Sequence, residues 1–427
     1  MRLLIKGGRI IDPAGEHAEG HRVDILCDAG SIVRIEPELN DVAADAVVDA
    51  AGAWVLPGVI DLHAHVGEPG HERRERLDTL TQAAVRGGFT KVVVMPDTEP
   101  ARDTADAVRA LRSRGSELAC CVLPVGALTR QRQGQEPTEW GELVEAGAIA
   151  LGDGKPVADS GLVRRALIYL QRWGTPLFLD AMDLSLAGGA SAWESVHATI
   201  YGLRCMPAEA EASALVREIL LARLTGGRAH LQHVSTRQGV EWVRWAKEAD
   251  IPVTAEVSWL HLVETDAVLG DYDTSYKVWP PLGTEADREA LIEGLATGVI
   301  DAVVTDHTPF TTEEKLVEFD QAPFGAAGLE TAVPALWTEL VESGRMPAAT
   351  LVERLTAGPA RVLGLPEPRV AVGEPANLTI LQPGRPWTLE QDQQASLAAN
   401  HPYIGRPVRA AIVATVVDGT IRYEQER

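Results

Sequence analysis

Short apolar runs alternate with amphipathic stretches along most of the chain. The apolar runs have the length of buried strands and lie at residues 55–63, 90–95, 119–125, 148–151, 176–180, 229–234, 253–257 and 300–306. Patterns with a helical period separate most of them, at residues 77–86, 104–114, 161–173, 208–224, 237–249 and 285–297. This alternation predicts an α/β protein with a parallel sheet, most economically a closed (β/α)8 TIM barrel. A doubly wound open sheet is the alternative.

The two ends of the chain follow a different pattern. Residues 1–53 and 366–427 alternate short strand patterns with turns. Neither segment is large enough to cover a sheet face alone, so we predict that they join into one small β-sandwich domain, with residues 54–365 forming the barrel. Residues 183–207 are too long for an ordinary strand-to-helix connection and predict an excursion over the barrel mouth.

Composition narrows the function classes. In the 427 residues, 39 Lys and Arg stand against 61 Asp and Glu, a formal net charge of −22. Such a charge repels nucleic acid and anionic membrane surfaces, so neither is an expected partner. Residues 1–8 lack a secretory apolar core and no apolar run is long enough to span a bilayer, which predicts a soluble, cytoplasmic protein. The four cysteines include no CxxC zinc pair.

Ionisable side chains recur where the predicted strands end, which is where barrel active sites lie. They are His63, His65, Asp97, Asp153, Asp180, His233, Glu256 and Asp306. His63 and His65 are two residues apart on one strand and can point the same way, an arrangement that suits a divalent metal such as zinc. A single histidine of this kind is as readily a packed structural residue, but a whole set of such positions favours a site.

Several segments resemble the motifs of dihydroorotases and related cyclic amidohydrolases. They are Asp61-Leu62-His63-Ala64-His65, Met95-Pro96-Asp97-Thr98, His230-Leu231-Gln232-His233 and Thr305-Asp306-His307-Thr308-Pro309. The resemblance implies that His63, His65, Asp153 and Asp306 hold one cation, with Asp153 able to bridge to a second. The second cation would be bound by His233 and by Asp180, which replaces the family's histidine. We therefore expect one or two zinc ions.

The resemblance also implies a reaction, the opening of a cyclic amide by metal-activated water. Asp306 would be the catalytic residue that takes the proton of the water and passes it to the leaving nitrogen. A structural alternative is that Asp306 only caps a loop.

The positions that bind substrate in the family are altered. Gly67, Asp97 and Phe310 replace an arginine, an asparagine and a histidine that bind the carboxylate of dihydroorotate. Trp279 replaces a further asparagine, and Gly283 an arginine. The nearby arginines are candidates for replacement donors, although a solvated surface cluster is the alternative; they are Arg73, Arg74 and Arg76.

Three hypotheses follow. The first is a dihydroorotase homologue of pyrimidine biosynthesis with an incomplete site, weakly active or inactive, that serves as a structural partner of aspartate carbamoyltransferase. The second is an active metal-dependent amidohydrolase for another substrate, such as a neutral cyclic amide. The third is a working dihydroorotase with donors from other loops. We expect a homodimer in each case.

Overall fold

The N-terminal segment forms short strands that precede the barrel. The computed structural model describes residues 2–15 and 20–425, so part of the predicted small domain (residues 1, 16–19, 426 and 427) lies outside the described residues. The first strands are β1 Arg2–Ile10, β2 Arg22–Asp28, β3 Ser31–Glu36, β4 Ala46–Asp49 and β5 Trp54–Pro57. Strand β5 pairs with β1 and not with the barrel.

The barrel is built from eight parallel strands in sequence order. They are β6 Val59–Ala64, β7 Phe89–Val94, β8 Cys121–Gly126, β9 Ala150–Leu151, β10 Leu177–Asp180, β13 Ala229–Gln232, β14 Val253–Ser258 and β15 Ala302–Val304, with a separate pair, β11 Ala192–Trp193 and β12 Cys205–Met206, between β10 and β13. The last and first strands meet at the mouth, where the His65 amide donates to the His307 carbonyl at 2.8 Å. The predicted α/β barrel class is confirmed.

Helices follow most of the barrel strands. They are α1 Leu77–Arg86, α2 Ala105–Ser113, α3 Trp140–Glu145, α4 Ser160–Leu170, α5 Leu184–Ala187, α6 Val196–Ile200, α7 Glu209–Thr225, α8 Arg237–Glu248, α9 Trp259–Val263, α10 Glu285–Thr297, α11 Thr312–Lys315, α12 Ala332–Leu336, α13 Ala348–Leu355 and α14 Ala357–Leu363. Short 3₁₀ segments span Gly115–Glu117, Arg130–Arg132, Asp266–Asp271, Thr274–Tyr276 and Gln391–Gln393, and a π-helical segment spans Trp337–Glu342. Side-chain N-caps begin several of the helices, for example Thr236 for α8. No helix in the described residues is long and apolar enough to cross a membrane.

The C-terminal strands complete the sheet begun by the N-terminus. They are β16 Leu378–Thr388, β17 Pro407–Val417 and β18 Thr420–Glu424. Strand β16 pairs antiparallel with β5, so both ends of the chain share one eight-stranded sheet with its own apolar core. The sequence run 55–63 thus divides between two sheets. The break falls at Gly58, where a Cβ atom would lie 2.2 Å from the Thr90 hydroxyl oxygen.

A segment between β16 and β17 packs on the loops that follow β15. The Asn400 amide nitrogen donates to the carbonyl oxygens of Thr308 and Gly325, each at 2.9 Å, and its carbonyl oxygen accepts from the Phe310 amide. The fully buried Glu75 accepts from Ser396 and from the His307 ring. These contacts fix the loops at the barrel mouth.

Candidate functional site

A small polar pocket opens at the carboxyl ends of the barrel strands, as expected for this architecture. Its volume is about 140 Å³. Six of the predicted site residues line it, namely His63, His65, Asp180, His233, Trp279 and Asp306. The other lining residues are Gly154, Thr308, Phe324 and Gly325.

Three potential metal ligands converge in this pocket. One ligand atom from each of His63, His233 and Asp306 lies within 4.8 Å of the other two. Nε2 of His65 lies 4.0 Å from Oδ1 of Asp306, which brings a fourth donor to the same place. Strand β6 supplies the first histidine and the segments after β13 and β15 supply the other two ligands. Imidazole and carboxylate together form a donor set that suits zinc.

The ring of His63 is oriented by a hydrogen bond to a buried carboxylate. Its Nδ1 donates to Oε1 of Glu256 at 3.0 Å, and the other oxygen of Glu256 accepts from Nε2 of His230 at 2.8 Å. Burial raises the pKa of Glu256, but the two histidines outweigh burial and hold that pKa well below its usual range. The pKa of His63 is lowered, chiefly by burial. When Nδ1–H of a neutral imidazole donates to a carboxylate, the lone pair of Nε2 remains available to bind a metal.

His65 has an equivalent support. Its Nδ1 donates to Oδ2 of Asp97 at 2.6 Å. Burial lowers the pKa of His65, but Asp97 more than offsets that effect, with a smaller contribution from Asp306, and the pKa rises. Asp97, which the sequence placed among the substrate-binding positions, is in contact with a histidine that the sequence predicts to be a ligand.

His233 and Asp306 have strained backbones, and each has a buried side chain that a cation would stabilise. Their φ angles are 55° and 48°, in the left-handed region that such residues rarely adopt. Nδ1 of His233 is buried and has no hydrogen-bond partner among the described residues. Burial raises the pKa of Asp306 to about 8, because the carboxylate has little solvation to stabilise its charge. A bound cation would satisfy both groups, so the residues present fit a metal.

The other two predicted ligands do not join this cluster. The carboxylate of Asp153 accepts from the backbone amide of Thr129 at 2.9 Å and from its hydroxyl at 2.5 Å. Asp180 lines the pocket, and burial raises its pKa to about 7, while a hydrogen bond from the Trp279 side chain opposes that rise. Among the described residues, neither carboxylate belongs to the group of converging ligand atoms.

Gly67, where the family has an arginine, has no room for any side chain. A Cβ atom there would lie 2.1 Å from the His71 carbonyl oxygen and 2.7 Å from that of Glu75. The loop arginines do not replace it, because Arg74 pairs with Glu314 and Arg76 with Asp78.

Aromatic side chains occupy two further altered positions. Trp279 packs edge-on against Phe324 with ring centroids 5.2 Å apart, and both line the pocket. Phe310 is buried beneath the guanidinium of Arg74, which lies 4.7 Å from its ring. One wall of the pocket is therefore aromatic.

Sequence reasoning left three contributors to the site without a role. Glu256 was recognised only as a strand-end residue. It lies two residues after Thr254, the partner of His230 on the neighbouring strand, so both side chains lie on one face of the sheet, and this could have indicated that they pair. Gln232 lies 2.8 Å from Nδ1 of His63 and was seen only as part of a motif. Arg132 donates from Nε to the Asp153 carbonyl oxygen at 2.6 Å, and no sequence signal marked it.

Comparison with known proteins identifies the family of the chain. A Dihydro-orotase-like family model matches residues 52–239, and an Amidohydrolase family model matches residues 209–422. The chain is 43% identical over 422 residues to a dihydroorotase from Pelotomaculum thermopropionicum, a match that covers 99% of this chain and 98% of that one. The chain belongs to the dihydroorotase family. A second dihydroorotase, from Caldanaerobacter subterraneus subsp. tengcongensis, is 40% identical over 431 residues, with 100% and 98% covered.

Solved structures of the wider group share the fold of this family member. An L-hydantoinase (dihydropyrimidinase) from Arthrobacter aurescens superposes with a TM-score of 0.88 at 27% identity, covering 100% of this chain and 96% of the other. A D-hydantoinase from Thermus sp. superposes with a TM-score of 0.82 at 23% identity, covering 100% and 97%, which supports the fold alone. The chain is thus a dihydroorotase-like cyclic amidohydrolase of pyrimidine metabolism.

Proposed function

We propose that this protein is an active, metal-dependent hydrolase that opens the C–N bond of a cyclic amide. The observation that carries the proposal is the convergence of the His63, His233 and Asp306 ligand atoms within 4.8 Å in a pocket at the barrel mouth. A catalytic metal needs such ligands together with space for water and substrate beside them. Asp153 and Asp180 are then weaker candidates as ligands than His65.

The chain's own residues support the chemistry. A bound zinc ion would lower the pKa of water and polarise the amide carbonyl. His63, His65, His233 and Asp306 would hold the ion, while Glu256 and Asp97 fix the rings of His63 and His65. Asp306 accepts the proton of the attacking water and returns it to the ring nitrogen as the C–N bond breaks. The side chains of Trp279 and Phe324 would contact the ring of the substrate on the side away from the metal ligands.

The proposal is tested by zinc analysis combined with an assay on dihydroorotate and on neutral dihydrouracil. We expect bound zinc and turnover of at least one ring, with turnover lost in Asp306→Asn. Asp106→Asn is the matched control, because that side chain is exposed on helix α2. Turnover that is absent for both rings in a zinc-loaded, folded protein would contradict the proposal.

A second candidate is a dihydroorotase homologue with little or no turnover that acts as a structural partner of aspartate carbamoyltransferase. The crowded backbone around Gly67 favours it, because the site has no place for the family's arginine. Co-elution of the two purified proteins in gel filtration, with no turnover of either ring, would support this candidate. The same experiment reports whether the chain alone forms the homodimer that we propose.

A further inference from the structure

We infer that Arg132 binds an anionic substituent of the substrate and so selects cyclic amides that carry a carboxylate. The inference rests on the proposed function and names its substrate class. In this inference Arg132, on a different loop of the barrel mouth, provides the positive charge that Gly67 cannot.

The backbone presents Arg132 in an unusual way. The 3₁₀ segment Arg130–Arg132 follows strand β8, and Gln131 and Arg132 have φ angles of 49° and 57°. Two successive non-glycine residues in the left-handed region are costly. Such strain persists where the surrounding structure holds a side chain in place, and it concentrates at functional sites.

Contacts of the guanidinium direct it to the rim of the pocket. Nε donates to the Asp153 carbonyl oxygen at 2.6 Å, which ties the loop after β8 to the loop after β9. Nη2 lies 3.8 Å from the place where Gly154 would carry a Cβ atom, and Gly154 lines the pocket. Within residues 2–15 and 20–425, neither terminal nitrogen of Arg132 donates a hydrogen bond to a protein acceptor. Two donors in a planar fork are therefore available to a ligand.

The charge of Arg132 reaches the part of the site beside His65. Burial raises the pKa of Asp97, but His65 and then Arg132 outweigh it, and that pKa is held well below its usual range. Asp97, Asp180 and Asp306 bring carboxyl groups to the site and no positive charge for an anionic substrate. A buried anion needs charge-assisted donors, and a guanidinium matches a carboxylate in a two-bond geometry that a lysine lacks.

Other arginines near the mouth are already occupied. Arg74 is paired with Glu314 and lies over Phe310, and Arg76 is paired with Asp78. Arg73 is exposed, with Glu313 as a charged neighbour. Arg132 is thus the side chain with both the position and the unoccupied donors for a carboxylate.

The test is calorimetric binding of orotate and of uracil to the zinc-loaded protein, since these planar rings differ by one carboxylate. We expect orotate to bind at least about tenfold more tightly than uracil, as one charge-assisted pair would provide. Arg132→Gln should remove that preference and leave uracil binding unchanged. Arg132→Lys should retain part of it, and it keeps the test valid if the Gln variant fails to fold. Arg130→Gln is the matched control, because Arg130 is an exposed residue of the same turn.

The outcomes separate this inference from the proposed function. Equal binding of orotate and uracil, binding of neither, or an orotate preference that survives in both Arg132 variants would overturn the inference. Turnover of neutral dihydrouracil depends on the metal ligands and not on Arg132. If the native protein turns over neither dihydroorotate nor dihydrouracil but binds orotate through Arg132, the proposed function is overturned and the inference stands.

Discussion

The carboxylate of Asp97 accepts a hydrogen bond from Nδ1 of His65 at 2.6 Å, and Nε2 of the same ring faces Asp306 at 4.0 Å. A carboxylate, a histidine and a metal in this order form a common arrangement, in which the carboxylate fixes the orientation of the ring and increases its basicity. The aspartate at a position where the family has asparagine thus has a role other than repelling the substrate.

Asp97→Ala should weaken zinc binding, because the His65 ring loses its only described Nδ1 partner. Losses of about 10- to 100-fold are typical for such supports. Asp97→Asn should lose less, since its amide oxygen can still accept the hydrogen bond. Competition with a chromophoric chelator measures the affinities, with Asp106→Ala as the exposed control. An unchanged affinity in Asp97→Ala would show that the contact does not support a ligand.

Gly67→Ala should destabilise the protein, because its methyl group would lie 2.1 Å from a backbone oxygen that cannot move cheaply. Overpacking of this kind costs about 1–3 kcal/mol, which corresponds to a fall of about 1–3 °C in Tm for a chain of this size. Gly115→Ala is the matched control, because nothing lies within 4 Å of the Cβ that would be added and its φ is ordinary. Scanning calorimetry makes the comparison.

Gly67→Arg, which restores the family's residue, should for the same reason fail to improve binding of dihydroorotate. A tighter complex with that variant, at unchanged Tm, would show that the loop accommodates an arginine and that its backbone is not the obstacle.

The strand-end pattern was sufficient to anticipate the barrel and the histidines and Asp306 of the site. In a parallel barrel all strands end at one face, so residues far apart in sequence, such as His63 and Asp306, meet without any knowledge of the loops. Sequence could also identify Gly67 as a departure from the family.

The partners of the site residues could not be predicted in this way. Thr129 and Arg132 reach Asp153 through a loop whose path depends on left-handed residues. Glu75 and Ser396 meet across 321 residues, because the segment before β17 folds onto the mouth. Such contacts depend on loop geometry, which hydrophobic periodicity does not specify.

The native protein should bind one zinc ion per chain. Asp180 is engaged by Trp279 and Asp153 by Thr129, so the carboxylates expected at a second ion are directed to protein donors. Asp180→His/Trp279→Asn, which restores the family's residues, should raise the zinc content toward two, whereas Asp180→His alone should raise it less. Elemental analysis of dialysed protein measures the ratio. Two ions in the native protein would contradict this interpretation.

Acid should weaken the fold through His261. This ring is buried, and its Nε2 donates to the carbonyl oxygens of Pro280 and Pro281 at 3.1 and 3.2 Å. Burial lowers the pKa of His261 to about 4 from its ordinary 6.5, although the two carbonyls oppose the shift. Between these values the unfolded chain binds the proton and the folded chain does not. The free energy of unfolding is therefore unaffected by His261 above pH 6.5. It falls by about 1.4 kcal/mol per pH unit as the pH drops from 6.5 toward 4.

His261→Gln keeps a side-chain N–H donor but cannot titrate, so we expect it to unfold at a lower temperature than the native protein at pH 7.5 and to approach it at pH 5. Calorimetry in the presence of a chelator keeps metal release out of the comparison. His71→Gln, at an exposed position, should show the native pH dependence. A stability difference between native protein and His261→Gln that is the same at both pH values would show that His261 does not take up its proton on unfolding.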